Sequence, residues 1–321
     1  MHITTKIYKR CEIVLKSEKE YSNPFMDVDI DAVFTHSDGT QITLPGFWNG
    51  ENEWKVRFSA EKAGVWKYTV TCTDKENLSL TDSGEIEAVA GEPETELEKH
   101  GYVRLEEGKR YFVYGDGTPF FYLADTHWQM PDHERLHECN YPGCNCGNQF
   151  KHLADDRIKK GFTVYQTYFA GARQKESPAG TPPWWTEQYT LINPKIFNET
   201  MDVMIEYLAQ NGITVALGFG THTGSIFCYG CKAEPALRFA RYCVARYACY
   251  PLMWITGQEI TDLKFGAFDI WCQVGQYVYE LDGYKRPNSA HMYPMKSDDP
   301  RALRLDSEPW HQWWTLQSGH G

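Results

Sequence analysis

The sequence predicts an N-terminal β-sandwich over residues 1–95, a linker over 96–110, and an α/β domain over 111–321 built as a (β/α)8 barrel that stops after about six strands. Three observations lead there. Short strand-like runs, punctuated by turn residues, fill the first part of the chain. From Tyr111 the pattern becomes a repeat of helix, glycine and strand, which belongs to parallel α/β folds. The stretch from Tyr111 to Gly321 is shorter than the roughly 250 residues of an ordinary barrel of this kind.

The elements follow in order. Ile13-Val14-Leu15, Asp27 to Phe34, Trp54 to Phe58 and Trp66 to Cys72 are strand-like, and His36-Ser-Asp-Gly39, Asn49-Gly50 and Ala63-Gly64 separate them as turns. Val65 to Val70 alternates with period two, as a half-buried strand does. The whole suits a sandwich of seven or eight strands. Gly91-Glu-Pro-Glu-Thr-Glu-Leu-Glu98 is acidic, contains proline, and reads as the linker.

In the second part, Phe120 to Ala124 is the first expected strand. Phe150, Leu153, Ala154 and Ile158 line one helical face, Gly161 ends that helix, and Phe162 to Phe169 is a strand. Met201, Met204, Ile205 and Leu208 repeat the pattern before Gly212, and the strand Ile213 to Leu217 follows. Pro235 opens a third helix, lined by Leu237, Ala240, Val244 and Tyr247, ahead of the strand Leu252 to Ile255. A fourth helix spans about Phe265 to Leu281, stops at Gly283 and leads to Ser289 to Tyr293, while Leu303-Arg-Leu305 begins a sixth strand. Gly218-Phe-Gly220 and Gly224 do not make the G-x-G-x-x-G phosphate loop, and no G-x-S-x-G elbow is present, so a barrel is favoured over a doubly wound sheet.

Composition narrows the function. With 32 basic and 43 acidic residues the net charge is -11, which argues against a nucleic-acid partner. No run reaches the roughly 20 apolar residues of a membrane span. The N-terminus lacks the apolar core of a signal peptide, so the 10 cysteines read first as reduced thiols in a cytoplasmic protein. The 11 tryptophans and 20 tyrosines supply flat apolar platforms with polar edges, which suit carbohydrate as well as large cores.

The strongest candidate for chemistry is Glu259, delivered by Pro251-Leu-Met-Trp-Ile-Thr-Gly-Gln-Glu259 straight after an apolar strand. Barrel enzymes place their acids and bases on the loops at the C-terminal ends of strands. Asp125, His127 and Trp128 follow the first expected strand, His222 the third, and Asp306, Glu308, Trp310 and His311 the sixth. Interleaved with Trp184 and Trp185, they predict a sugar site. Glycoside hydrolysis needs one carboxyl group to protonate the leaving oxygen and a second as nucleophile or base. Glu259 is the expected acid/base. Asp125, His127, Trp128, Trp185, His222, Glu308 and Trp310 are the expected substrate-binding residues, with no cofactor.

Tyr122-Leu-Ala-Asp-Thr-His-Trp128, Lys160-Gly-Phe-Thr-Val164, Trp254-Ile-Thr-Gly-Gln-Glu259 and Gln317-Ser-Gly-His320 give residues 111–321 a likeness. They resemble the apiosidase-like catalytic domain, a (β/α)8 glycoside hydrolase family. Gly46-Phe-Trp-Asn-Gly50, Trp54-Lys-Val-Arg57 and Ala63-Gly-Val-Trp66 resemble the β-sandwich that often precedes it. The resemblance implies an acid/base after the fourth strand, where Glu259 stands. The usual residue there is Asp after Gly-Gly, so Gly257-Gln258-Glu259 departs from the pattern. It also implies a nucleophilic Glu after a seventh strand, with which nothing in this sequence aligns. The expectation is that this chain alone is a poor glycosidase with two unpaired sheet edges.

Two further readings compete with a hydrolase of plant-type polysaccharide or oligosaccharide. One is a non-catalytic carbohydrate-binding barrel. The other is a metal-dependent hydrolase, which needs clustered His and Asp ligands; no H-x-H follows the first strand. Cys139, Cys144 and Cys146 fall in the first expected βα loop and Cys228 and Cys231 in the third, so Cys144, Cys146, Cys228 and Cys231 are a candidate tetrahedral zinc set. Cys-x-Cys is tighter than usual zinc pairs, and unpaired thiols are the favoured reading.

Overall fold

The computed structural model describes residues 2–128, 130–133, 136, 147–169, 192–220, 233–260, 268–292, 296 and 298–317. The N-terminal part is built from β1 (His2–Lys6), β2 (Arg10–Lys16), a one-turn helix α1 (Pro24–Asp27), β3 (Ile30–His36), β4 (Gln41–Pro45), β5 (Phe47–Gly50), β6 (Glu53–Ser59), β7 (Gly64–Cys72) and β8 (Asp82–Val89). These strands form a five-stranded sheet in the order β1-β8-β7-β3-β4 and a three-stranded sheet in the order β2-β6-β5. Strand β7 buries Trp66, Tyr68, Val70 and Cys72 and exposes the residues between them, the alternation read from the sequence. Phe34 of one sheet stacks on Phe58 of the other at 4.1 Å, closing the sandwich.

The acidic stretch after β8 turns into α2 (Glu96–His100), capped by the Thr95 hydroxyl. Lys9 holds it through Glu94 at 3.0 Å and Glu98 at 2.7 Å. The barrel then runs β9 (Ala124–Thr126), α3 (Met130–His133), α4 (Gln149–Lys159), β10 (Val164–Tyr168), α5 (Pro194–Ile196) continuing into α6 (Asp202–Gln210), β11 (Thr214–Gly218), α7 (Ala233–Tyr247), β12 (Leu252–Gln258), α8 (Phe268–Leu281), β13 (Asn288–Met292), α9 (Pro300–Ser307) and β14 (Trp313–Leu316). The six strands form one curled, all-parallel sheet in the order β14-β13-β12-β11-β10-β9. Gly161 and Gly212 end α4 and α6 with φ of 78° and 74°, the left-handed turn that closes a helix at least cost in glycine. No helix among the described residues is long and apolar enough to cross a membrane.

Alternation along the strands sorts the sheet into two faces. Val164, Ala216, Met253 and Ile255 point inward, onto a floor made by Leu97, Tyr102, Val103 and Phe120. Tyr165, Val215, Leu217, Leu252, Trp254, Ala290 and Met292 point outward into the layer shared with the helices. Phe112 and Tyr122 reach the far edge of the sheet from below, where both rings meet Trp313 of β14, at 5.4 and 5.9 Å.

Two sequence expectations need correction. The first barrel strand begins at Ala124, not Phe120: Phe120 instead donates its amide to the Phe112 carbonyl at 2.8 Å, as part of the floor. Leu303 and Leu305 lie in α9 rather than a strand, and the sixth strand is Trp313–Leu316. Asp299 caps α9 through the Arg301 amide at 2.9 Å, and Pro300 occupies its first turn.

The sandwich docks on the outer side of α7, which is why that helix is buried around its whole circumference from Phe239 onward. Charged groups cross the contact. Arg238 grips Asp29 of the sandwich at 2.6 Å, and Arg241 reaches Asp29 at 2.9 Å and Asp31 at 2.8 Å. Deeper in, Asp202 at the start of α6 accepts from Arg57 of β6 at 2.5 Å, Arg246 of α7 at 2.8 Å and the Tyr247 hydroxyl at 2.7 Å. Burial opposes ionisation of Asp202, but Arg246 and Arg57 outweigh it and hold the carboxyl well below its ordinary range.

Candidate active site

Glu259 stands at the C-terminal end of β12, the fourth barrel strand, where the sequence places it. Its backbone is left-handed, with φ 55°, a conformation costly for a residue with a Cβ. The neighbours enforce it. The Gln258 amide donates to the Gly220 carbonyl at 2.9 Å, and the Ile260 amide to the His291 carbonyl at 3.2 Å. The pairing of β12 with β13 slips between Ile255 and Gln258, so a bulge precedes the carboxylate. Gly257 lies against the Trp271 ring, where a Cβ would sit 2.6 Å away. The strand end is thus fixed on three sides before it delivers Glu259.

Trp128 follows β9 and lies over the mouth of the barrel. Its ring is 5.9 Å from Tyr168 at the end of β10 and 5.2 Å from His291 at the end of β13, edge to face with the latter. Gly218 of β11 makes room for this cluster, since a Cβ there would lie 3.0 Å from the Tyr168 Cβ. His291 is 6% exposed, and burial pushes its imidazole down to about 4, so the ring is neutral at neutral pH.

Asp125 and His127 do not join this cluster. Asp125 is the register partner of Tyr165, whose ring packs in the helix layer, so its side chain leaves the sheet on the helix side. Its carboxylate bonds the Arg157 guanidinium of α4, lies 3.3 Å from His127 Nε2, and accepts the Thr126 amide at 2.8 Å. The His127 ring hydrogen-bonds the Tyr165 hydroxyl. These groups brace β9 against α4.

Glu308 and Trp310 are likewise displaced. Because Leu303–Leu305 is helical, Glu308 follows α9 at the opposite rim from Glu259, where it pairs with Arg304 at 3.2 Å. Asp306 is in the last turn of the same helix. Trp310 is fully buried, its ring against Gly275 of α8, and is a core residue rather than a sugar platform. Trp184, Trp185, His222 and the five cysteines Cys139, Cys144, Cys146, Cys228 and Cys231 lie outside the described residues.

Two residues of the mouth were passed over in the sequence, Gln258 and His291. For Gln258 the available signal was a polar side chain at the end of a largely apolar strand; Asn288 and Ser289 deprive His291 of that contrast.

Comparison with known proteins bears on the family and the fold. Residues 106–321 match the family model described as apiosidase-like, catalytic domain, and residues 4–73 match DUF5060, a domain of unknown function. No curated protein matches. Among solved structures, one from Bacteroides vulgatus, proposed to be a glycoside hydrolase, superimposes with a TM-score of 0.71 at 18% identity, covering 93% of this chain and 58% of its own. A family 5 glycoside hydrolase from the same organism superimposes with a TM-score of 0.54 at 19% identity, covering 69% of this chain and 46% of its own. A further glycoside hydrolase gives 0.54 at 22% identity, covering 69% and 47%. This chain therefore spans less than two thirds of the length of each of these structures, and at these identities the likeness is one of fold. The family model covers well over half of the chain, in the part that carries Glu259, and the chain belongs to the apiosidase-like catalytic domain family.

Proposed function

We propose that the protein is a glycoside hydrolase acting on plant-type polysaccharide or oligosaccharide, with Glu259 as the proton donor to the leaving oxygen. The observation that carries this reading is the position of Glu259. A bulge, a left-handed residue and two backbone hydrogen bonds hold a carboxylate at the C-terminal end of the fourth barrel strand. Family membership supports the same reading. A group that donates a proton in a transition state typically contributes about 10²–10⁴ in rate. The mouth beside it offers an aromatic face in Trp128 and neutral polar groups in Gln258 and His291, the mixture that sugar sites use.

A second reading, a carbohydrate-binding barrel without turnover, is favoured by one observation. Asp125 is committed to Arg157, and Asp306 and Glu308 stand at the other rim, so none of these three serves as the second carboxylate that hydrolysis requires. Turnover of a panel of aryl glycosides decides between the two. Hydrolysis by the wild-type chain that Glu259→Gln lowers steeply on glycosides with poor leaving groups supports the hydrolase. Sugar binding without turnover supports the second reading, and undiminished hydrolysis of poor-leaving-group substrates by Glu259→Gln removes Glu259 from the mechanism.

A further inference from the structure

Buried polar groups are nearly always hydrogen-bonded, and leaving one without a partner is costly. Two such groups stand side by side at the barrel mouth. Gln258 and His291 are register partners on β12 and β13, so their side chains share one face of the sheet. That face is the inner one, because Ala290 and Met292, on either side of His291, both pack outward, and the His291 ring meets Trp128. The Gln258 Oε1 and the His291 Nδ1 are both buried, with no hydrogen-bond partner among the described residues. Glu259 follows Gln258 directly.

We infer that Gln258 and His291 are a specificity-determining pair that binds adjacent ring hydroxyls of the sugar unit whose glycosidic oxygen is presented to Glu259. The chemistry of both groups matches a hydroxyl, which donates one hydrogen bond and accepts others. A primary amide offers an oxygen acceptor and two N–H donors, and a neutral imidazole offers one of each. Burial keeps His291 neutral, so the pair can discriminate by hydrogen bonding without adding charge beside Glu259. Trp128 packs on the imidazole, whose Nδ1 has no partner among the described residues.

The inference rests on the glycosidase reading for the position of the reacting oxygen, and the test separates the two. Gln258→Met and His291→Phe keep side-chain shape and remove the hydrogen-bonding atoms. Exchanging an orphaned buried polar group for an apolar one of similar shape is close to neutral or stabilising, so thermal unfolding should stay level or rise. The measurement is kcat/KM on p-nitrophenyl glycosides and their monodeoxy counterparts, with calorimetric binding of the parent sugars in parallel. Each variant should lower kcat/KM on the fully hydroxylated substrate by about 10–1,000-fold, and leave one deoxy counterpart within about threefold of wild type. Turnover with unchanged discrimination in both folded variants overturns the pair and leaves the hydrolase reading standing. So does an equal loss on every substrate, accompanied by a lowered melting temperature. Sugar binding without turnover, with hydroxyl preference lost in the variants, removes the hydrolase reading and keeps the pair. Absence of both binding and turnover in the wild type overturns both.

Discussion

Trp128 and His291, from the ends of the first and fifth barrel strands, meet edge to face with ring centroids 5.2 Å apart. The contact spans the mouth and is part of what keeps the imidazole dry. Trp128→Ala should therefore do two things at once. It should raise KM for sugar substrates by about tenfold or more, through loss of an aromatic face. It should also lift the His291 imidazole from about 4 toward its ordinary value, because burial is what depresses it. Steady-state kinetics read the first effect and an NMR titration of the imidazole reads the second.

Glu259→Gln should cost little stability, because the amide keeps the shape and the left-handed backbone is held by Gln258 and Ile260. Activity should fall by about 10²–10⁴-fold on substrates whose leaving group needs a proton, and far less on those with an activated phenol. The comparison of the two substrate types by initial rates checks the role of acid, since a structural role would lower both equally.

Acid should weaken the fold through two histidines. His291 and His311 are both buried and held at about 4, chiefly by desolvation, against an ordinary value of 6.5. The unfolded chain thus binds protons that the folded chain does not in the window between about 6.5 and 4. Stability is flat above that window, falls as pH drops through it, and levels off below it. The loss amounts to about 3 kcal/mol for each ring. His311→Phe should remove about half of the decline, measured by urea unfolding at pH 7 and pH 4.5.

Asp202→Ala should unfold the protein readily. The substitution leaves Arg57 and Arg246 buried beside one another without their shared carboxylate. Breaking a buried pair from one side costs about 3–5 kcal/mol. Because Arg57 is in the sandwich and Arg246 in the barrel, chemical denaturation should show the loss in both parts, by the fluorescence of Trp66 and of Trp254 in single-tryptophan backgrounds.

Gly275→Ala should be among the most damaging single-carbon changes in the chain. The added Cβ would lie 2.4 Å from the ring of the fully buried Trp310, which has no room to withdraw. Overpacking of this kind costs about 1–3 kcal/mol or more. Thermal unfolding of this variant beside Gly91→Ala, where a Cβ meets only the flexible Lys6 side chain, separates overpacking from the general effect of replacing a glycine.

Much of the architecture was legible because it is local. The alternation from Val65 to Val70 and the glycines after α4 and α6 are consequences of backbone geometry within one element. The sixth strand was misplaced because Leu303 and Leu305 are two apart, which reads as a strand. The Asp299-Pro300 start and the buried pair Ala302 and Leu305, three apart, carried the stronger helical signal. The partner of Asp125 was not legible for a subtler reason. Starting the strand four residues early leaves the rim position plausible, but pairing with Tyr165 turns the carboxylate toward Arg157. The buried arginines of α7 could not be read at all. Nothing local says that Arg241 and Arg246 face another domain rather than water, since their partners Asp29, Asp31, Asn49 and Arg57 lie about two hundred residues away.

Those partners have a consequence for the freedom of the sandwich. A sugar-binding module on a flexible tether raises the local concentration of substrate by an amount set by tether length, and it can search a surface independently of the catalytic domain. The arginine lattice between sandwich and barrel removes that freedom, and Lys9 fastens the connecting segment as well. Whatever the sandwich touches is therefore held at a constant distance and angle from Glu259.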